Sequence, residues 1–423
     1  MKVEVQSKKL IKPSSLTPNH RRKLNISCID ELQHPGYAGF LFYYRADGEN
    51  HEDDTFQRLC LLEESLSETL VIFYPLAGRY VEEGLFIDCN DQGVEFVYAR
   101  VNGQLDHLLQ GDFDADLVGS LSEFPLGLAS NPLVIIQVNV FECGGLVISL
   151  RSCHKLGDMC TMATFMNSWA TVCRSGINEL ASPYFELSSL FPVKGSVVTR
   201  WPPLCGGVKF TMNRFVFSGA ALSRLKLAAA KNARISRVEV VCALLCKVFV
   251  TLDQAKHGRL RPFVVCQSMN LRGRVNLPIP TNAFGNFYTM VVGRHTMDQN
   301  DLNFEAFVEV IHDTFASAKT RYAAIADGES CMNMVKDSTR ESKEWAHSDE
   351  ENVVAISSWC GFPFYDINFG WGKPDLVSNT CIPVRMVFLI DSKSDGGIDA
   401  WIILSPEEKV LFEQDPDIVA FTS

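Results

Sequence analysis

Long apolar runs are missing from this chain: no stretch approaches the roughly 20 consecutive apolar residues that a bilayer span requires. The first residues, Met1-Lys-Val-Glu-Val-Gln-Ser-Lys-Lys9, are polar and lack the apolar core of a secretory signal. A soluble, cytoplasmic protein without membrane contact is expected. Basic tracts are missing too, and a formal net charge of -11 argues against nucleic acid as a partner. The fourteen cysteines contain no Cys-x-x-Cys pair. Cys242 and Cys246 share one apolar side of a predicted helix, so the cysteines read as reduced core residues, and no metal site is expected.

Several catalytic signatures are absent as well. There is no HExxH, no Walker-type phosphate loop, no GxGxxG and no GxSxG. Zinc peptidases, P-loop NTPases, common dinucleotide enzymes and α/β-hydrolases are thereby set aside.

What is present is an ordinary globular composition, 47% hydrophobic and 21% charged, over 423 residues. That length exceeds a single typical core, so two domains are expected. A stretch rich in Pro, Gly and Ser over 188–213 marks a crossover loop, dividing an N-terminal domain, 1–187, from a C-terminal domain, 214–423. Strands and helices alternate in both halves, which predicts an α/β fold with mixed sheets. In the first half, strands are predicted at 39–44, 133–140 and 146–153, with a helix over 56–73 that Pro75 stops. Residues 85–88 and 94–97 read as a hairpin across Asn90-Asp-Gln-Gly93. In the second half, Ser236-Arg-Val-Glu239 is a capping box opening a helix over 240–252. Strands are predicted at 211–218, 263–269, from about Ala283, and at 353–359, 384–391 and 400–404, with helices over 304–324 and after Ser405. The charge-dense segment 336–352 reads as a mobile surface loop.

The segment 146–169 organises the rest. Its first half alternates like a half-buried strand, and Met162, Phe165, Met166 and Trp169 then recur at helical spacing. Between them stands His154-Lys-Leu-Gly-Asp158. A histidine at the end of a strand is delivered to the rim of a sheet, where clefts form. Two readings fit: His154 as a catalytic base, or His154 as a backbone-satisfied strand end with Asp158 capping the next helix. The spacing alone favours the second. Likewise, Gly370 and Gly372 around Trp371 make either a tight ligand loop or a buried Trp corner.

Six motifs occur in order: Tyr74-Pro-Leu-Ala-Gly-Arg79, His154-xxx-Asp158, Asn270-Leu-Arg272, Phe284-Gly-Asn286, Ser357-Ser-Trp-Cys360 and Phe369-Gly-Trp-Gly-Lys-Pro374. Together they cover most of the chain, and the set resembles the plant BAHD acyl-CoA-dependent acyltransferases. Ile11-Lys-Pro-Ser-Ser, Asp88-Cys-Asn-Asp-Gln-Gly, Phe141-Glu-Cys-Gly-Gly and Phe364-Tyr-Asp366 give it the flavour of the alkaloid O-acetyltransferases of that family.

The resemblance implies two similar domains of the chloramphenicol-acetyltransferase-like kind, with an active-site channel at the domain interface. It implies acyl-CoA, most simply acetyl-CoA, as co-substrate and a hydroxylated small molecule, a monoterpenoid indole alkaloid first, as acceptor, in a monomeric enzyme. His154 becomes the general base of a ternary-complex mechanism without a covalent enzyme intermediate, and Asp158 a structural support. Arg272, Asn286, Asn368, Phe369 and Gly370 fall in structural motifs. Ser236 and Arg237 are expected to meet the phosphates of the acyl-CoA, while Trp371 and Gly372 would supply donors to the tetrahedral oxyanion. Alternatives are a malonyl or aroyl donor, or a repurposed protein with weak or no acyl transfer.

Two departures stand out. Asn368 occupies a place where the family usually has Asp, and Met159 a place where it usually has Gly. The family's acidic residues are thought to pair with arginine, here Arg272, so Asn368 would shift that load to Asp158. Met159 is expected to narrow the options of the turn beside the base.

Overall fold

The computed structural model describes residues 1–423 except 47–51, 111, 112, 114, 124–130, 194–209, 230–234, 347, 349, 383 and 423. Most of the crossover expected at 188–213 therefore lies outside the described residues. The chain forms two compact units. The first comprises Met1–Trp201, Ile279–Phe287 and Phe362–Cys381; the second comprises Pro202–Pro278, Tyr288–Gly361 and Ile382–Ser423. A division at one crossover would place 279–287 and 362–381 with the C-terminal half. Both instead belong to the first unit: strand Leu376–Asn379 pairs there, and 279–287 is tied there by an isolated bridge between Ala283 and Tyr184 and by hydrogen bonds to Asp30, His154 and Asp158.

The first unit is built on a six-stranded mixed sheet. Its order is Lys2–Ile11, Val94–Asn102, Val134–Phe141, Leu146–Cys153, Tyr37–Tyr44 and Leu376–Asn379. Only Val94–Asn102 and Val134–Phe141 run parallel. The edge strand Leu376–Asn379 pairs with Tyr37–Tyr44 across more than three hundred residues of sequence. The expected hairpin near Asn90 does not form: Phe86–Asp88 pairs with Lys23–Asn25 and Arg79–Val81 in a separate three-stranded sheet. Leu146–Cys153 is central and buried at every residue, where a half-buried alternation was expected. Among its buried polar residues, Arg151 donates from Nε to the Ser122 carbonyl and hydroxyl, while the Ser152 hydroxyl makes no hydrogen bond among the described residues.

Helix Met159–Ser175 packs on helix Glu52–Ile72. Phe165 and Trp169 stack 6.3 Å apart, Phe165 meets Phe73, and Trp169 Nε1 donates to the Leu62 carbonyl and the Ser65 hydroxyl. Each fully buried aromatic of this kind contributes on the order of 1.5–3 kcal/mol. The contacts also orient the two helices antiparallel.

The second unit has its own six-stranded mixed sheet, ordered Tyr288–His295, Phe263–Asn270, Asn352–Ser358, Met386–Asp391, Ile398–Leu404 and Thr211–Phe217. Helices Arg237–His257, Phe304–Ala323 and Gly328–Ala346 belong to the same unit. The last of these occupies residues 336–346 of the mobile loop expected over 336–352. Its Cys331, Met332 and Val335 form a narrow buried stripe, and the charges cover the remaining faces. The strand expected from Ala283 begins later, at Tyr288. No described helix is long and apolar enough to cross a membrane.

Candidate active site

Three segments of the first unit converge on His154. The first is the central strand, which ends at Cys153 and turns through residues 154–157 before Asp158 starts the next helix. His154 N–H donates to the Gly36 carbonyl at 2.9 Å. His154 as a residue is half-buried, and its ring Nδ1 is buried. Burial pushes its pKa below the ordinary 6.5; a backbone hydrogen bond at the same residue, the charge of Asp158 and the side chain of Asn286 push back. A neutral imidazole is therefore the resting form at neutral pH, and a neutral imidazole accepts a proton.

Asp158 is spent on structure. Its Oδ1 accepts from Thr161 N–H at 2.9 Å, capping helix Met159–Ser175, and lies 3.0 Å from the Thr161 hydroxyl oxygen. Its Oδ2 accepts from Phe287 N–H at 2.9 Å. Met159 is the first helical residue, so its backbone needs no glycine and the turn loses nothing by the departure. Cys153, directly before the histidine, is buried and its thiol is pushed up to about 11, which keeps it protonated and unfit as a nucleophile.

The second segment is Phe284-Gly-Asn286-Phe287. It is seated by a bridge between Ala283 and Tyr184, by ring contacts of Phe284 with Phe185 and of Phe287 with Phe191, and by Thr161, whose hydroxyl donates to the Gly285 carbonyl. The Asn286 side chain donates to the His154 carbonyl at 2.8 Å. The third segment is the short helix Cys28–Glu31, whose capping box joins Ser27 and Asp30. Asp30 Oδ1 accepts from both the backbone N–H and the Nδ2 of Asn286. Sequence reasoning missed Asp30, although Ser27-Cys-Ile-Asp30 carries the capping-box spacing.

The loop after Phe364 is placed elsewhere. Phe369 rests on Trp169, at 4.8 Å between ring centroids, and stacks with Trp371. Arg174 donates to the Asn368 carbonyl at 2.6 Å, and Arg58 lies over the Trp371 ring. Arg174 ends the helix that Asp158 begins, and sixteen residues of helix rise about 24 Å. The loop thus sits toward the far end of this helix from His154, and the expectation that Trp371 and Gly372 donate to the reacting oxyanion is corrected on that ground. Asn368 works inside the loop, its Oδ1 accepting from Gly370 N–H and Gly372 N–H. Those bonds need an acceptor and no charge, so Asn serves where Asp is usual.

In the second unit, Ser236 caps helix Arg237–His257 through Glu239 as the capping box predicts. Arg237 donates to Asp391 and to the Gly396 carbonyl, with part of its side chain exposed. Arg272 is buried, and its backbone N–H and Nη1 both donate to Asn270 Oδ1. Among the described residues no group of three or more His, Cys, Asp or Glu could hold a metal ion.

Two α/β units with mixed sheets, the first carrying a neutral, strand-end histidine on the H-x-x-x-D spacing, define a chloramphenicol-acetyltransferase-like fold and an acyltransferase. The family model of the Transferase family matches residues 1–419, and the chain belongs to that family, the plant BAHD acyltransferases of specialised metabolism. It is 39% identical to an acetyl-CoA-benzylalcohol acetyltransferase of Clarkia breweri over the full length of both chains. It is 32% identical to stemmadenine O-acetyltransferase of Catharanthus roseus, covering 98% of this chain and 96% of the relative. The crystal structure of vinorine synthase superposes with a TM-score of 0.83 at 30% identity, covering 100% of this chain and 99% of that one.

Proposed function

We propose that this enzyme transfers an acetyl group from acetyl-CoA to the hydroxyl of a small acceptor, with His154 as general base. The observation that carries the reading is the state of that imidazole: held at a strand end, its Nδ1 buried, and kept neutral by burial. His154 Nε2 takes the hydroxyl proton as the acceptor oxygen attacks the thioester carbonyl. The tetrahedral intermediate then expels the CoA sulfur, which leaves as the thiol once it receives that proton. A positioned imidazole contributes roughly 10²–10⁴-fold in such a step. The protonated thiol of Cys153 supports direct transfer without an acyl-enzyme.

For the acceptor, the benzylalcohol acetyltransferase relative supports an aromatic primary alcohol. The alkaloid hydroxyl read from the sequence stays as the second reading, supported by the stemmadenine relative. Ser236 and Arg237, at the positive end of a 21-residue helix, are assigned to the phosphates of the acyl-CoA.

The test is free-thiol release from acetyl-CoA, malonyl-CoA and benzoyl-CoA, each with benzyl alcohol and with a panel of hydroxylated indole alkaloids. Acceptor-dependent thiol release from acetyl-CoA is expected, and it should vanish in a folded His154→Ala variant. Turnover near the wild-type rate in that variant refutes the mechanism, and thiol release only from malonyl-CoA or benzoyl-CoA refutes the donor.

A further inference from the structure

We propose that Asp30 and Asn286 are positioning residues for His154, forming a buried carboxylate–amide clamp that fixes the backbone from which the imidazole projects. The proposal rests on the reading of His154 as the base, and it assigns a role to Asp30 beyond the capping box it forms with Ser27.

The geometry runs in one direction. Asn286 is fully buried, and its Nδ2 makes two donations at 2.8 Å each, one to Asp30 Oδ1 and one to the His154 carbonyl. The Asn286 backbone N–H also donates to Asp30 Oδ1, at 2.7 Å. On the other carboxylate oxygen, Asp30 Oδ2 accepts from the Ser27 N–H and hydroxyl at 2.8 and 2.7 Å. Four donors thus converge on one buried carboxylate, an arrangement that suits an acceptor-only group. An Asn at position 30 would turn its NH₂ toward either the Ser27 pair or the Asn286 pair, setting donor against donor.

The Asn286 amide is oriented by the two acceptors of its Nδ2, Asp30 Oδ1 and the His154 carbonyl. Its Oδ1 is buried with no hydrogen-bond donor among the described residues, so its orientation depends on where Nδ2 is drawn. With the Asn286 donation on its carbonyl and the Gly36 carbonyl on its N–H, both backbone polar groups of His154 are held. The direction of its Cα–Cβ bond follows. The Asp30 carboxyl stands directly behind the Asn286 amide, and burial raises its pKa against the four donors it accepts from. A misplacement of a catalytic group by about 1 Å costs on the order of 10²-fold in rate.

The experiment uses the full chain, labelled with ¹⁵N-histidine, as wild type, Asp30→Asn, Asn286→Ala and His154→Ala. The His154 ring signals are identified by their loss in His154→Ala. In Asp30→Asn these signals are expected to shift, with kcat for acetyl-CoA and benzyl alcohol falling roughly 100-fold and both KM values unchanged. Wild-type ring signals together with a wild-type kcat overturn the clamp, as does a kcat loss fully matched by a lost folded fraction in circular dichroism. Should Asp30→Asn not fold, Asn286→Ala, which removes only the two side-chain donations, carries the same test with the same outcomes. Activity surviving in His154→Ala overturns the base assignment instead, and the ring signals still report on the clamp.

Discussion

Replacing Gly285 by alanine tests how strictly the base depends on the backbone beside it. Gly285 has φ +118°, a conformation that L side chains rarely adopt, and a Cβ there would meet Leu187 Cδ1 at 3.2 Å and both Asp30 carboxylate oxygens at 3.5 Å. Strain of this kind costs of order 1–3 kcal/mol. Taking about 2 kcal/mol, and roughly 2–4 °C per kcal/mol for a unit of this size, Tm falls by about 4–8 °C. Gly285 adjoins Asn286, so the relaxation that relieves the strain also moves the donor on the His154 carbonyl. Gly176→Ala is the matched control. It has φ +80° at the end of the Met159–Ser175 helix, with nothing within 4 Å of an added Cβ. Differential scanning calorimetry and steady-state thiol release should show a similar Tm loss in both variants and a kcat loss in Gly285→Ala alone. Equal kcat losses in the two, or a Gly285→Ala enzyme with unchanged kcat and lowered Tm, would refute the coupling.

Three further outcomes follow from the site. Trp371→Phe removes the indole N–H but keeps the stack on Phe369, so kcat should stay near wild type. A loss of roughly 10²–10³-fold, as for a missing oxyanion donor, would return the loop to the chemistry. Asn368→Asp keeps the acceptor for Gly370 and Gly372 and adds charge near Arg174, so Tm should hold or rise without change in kcat; a clear Tm fall in calorimetry contradicts this. In the pH profile of kcat/KM, burial lowers the His154 pKa, so the base stays neutral below 6.5 and activity is lost only as pH falls through that lowered value. The acid limb should have its midpoint below 6.5, and a midpoint above 6.5 refutes the assignment. Because the unfolded chain takes up that proton first, the same shift costs folded stability as pH drops from about 6.5.

The H-x-x-x-D segment shows how far local pattern reaches. Helical spacing after Asp158, its side chain at the cap and Gly176 at the far end all act within one turn of chain, and they are legible without neighbours. The capping box at Ser236 is legible for the same reason. Residues 336–346 misled because this charge-dense half of the helix carries none of its three buried positions, Cys331, Met332 and Val335, which all precede it; the helix and the strand it packs on show which face is buried. The turn at Asn90 was misread because a two-sided turn signal does not say whether the flanking strands pair with each other or with other strands.

Consecutive residues carried the family and the two-unit α/β class and pointed to His154 as the candidate base, because ordered motifs and short-range capping are local to the chain. Tertiary structure alone decided three things. It placed 279–287 and 362–381 in the first unit, since strand pairing at Leu376–Asn379 and hydrogen bonds to Asn286 and Phe287 join residues more than a hundred positions apart. It set the Phe369 loop toward the far end of a helix from His154, which the nearness of both motifs to function in the sequence had concealed. And it brought Asp30, Asn286 and His154 together from three distant segments, because a buried carboxylate must find its donors wherever the fold provides them.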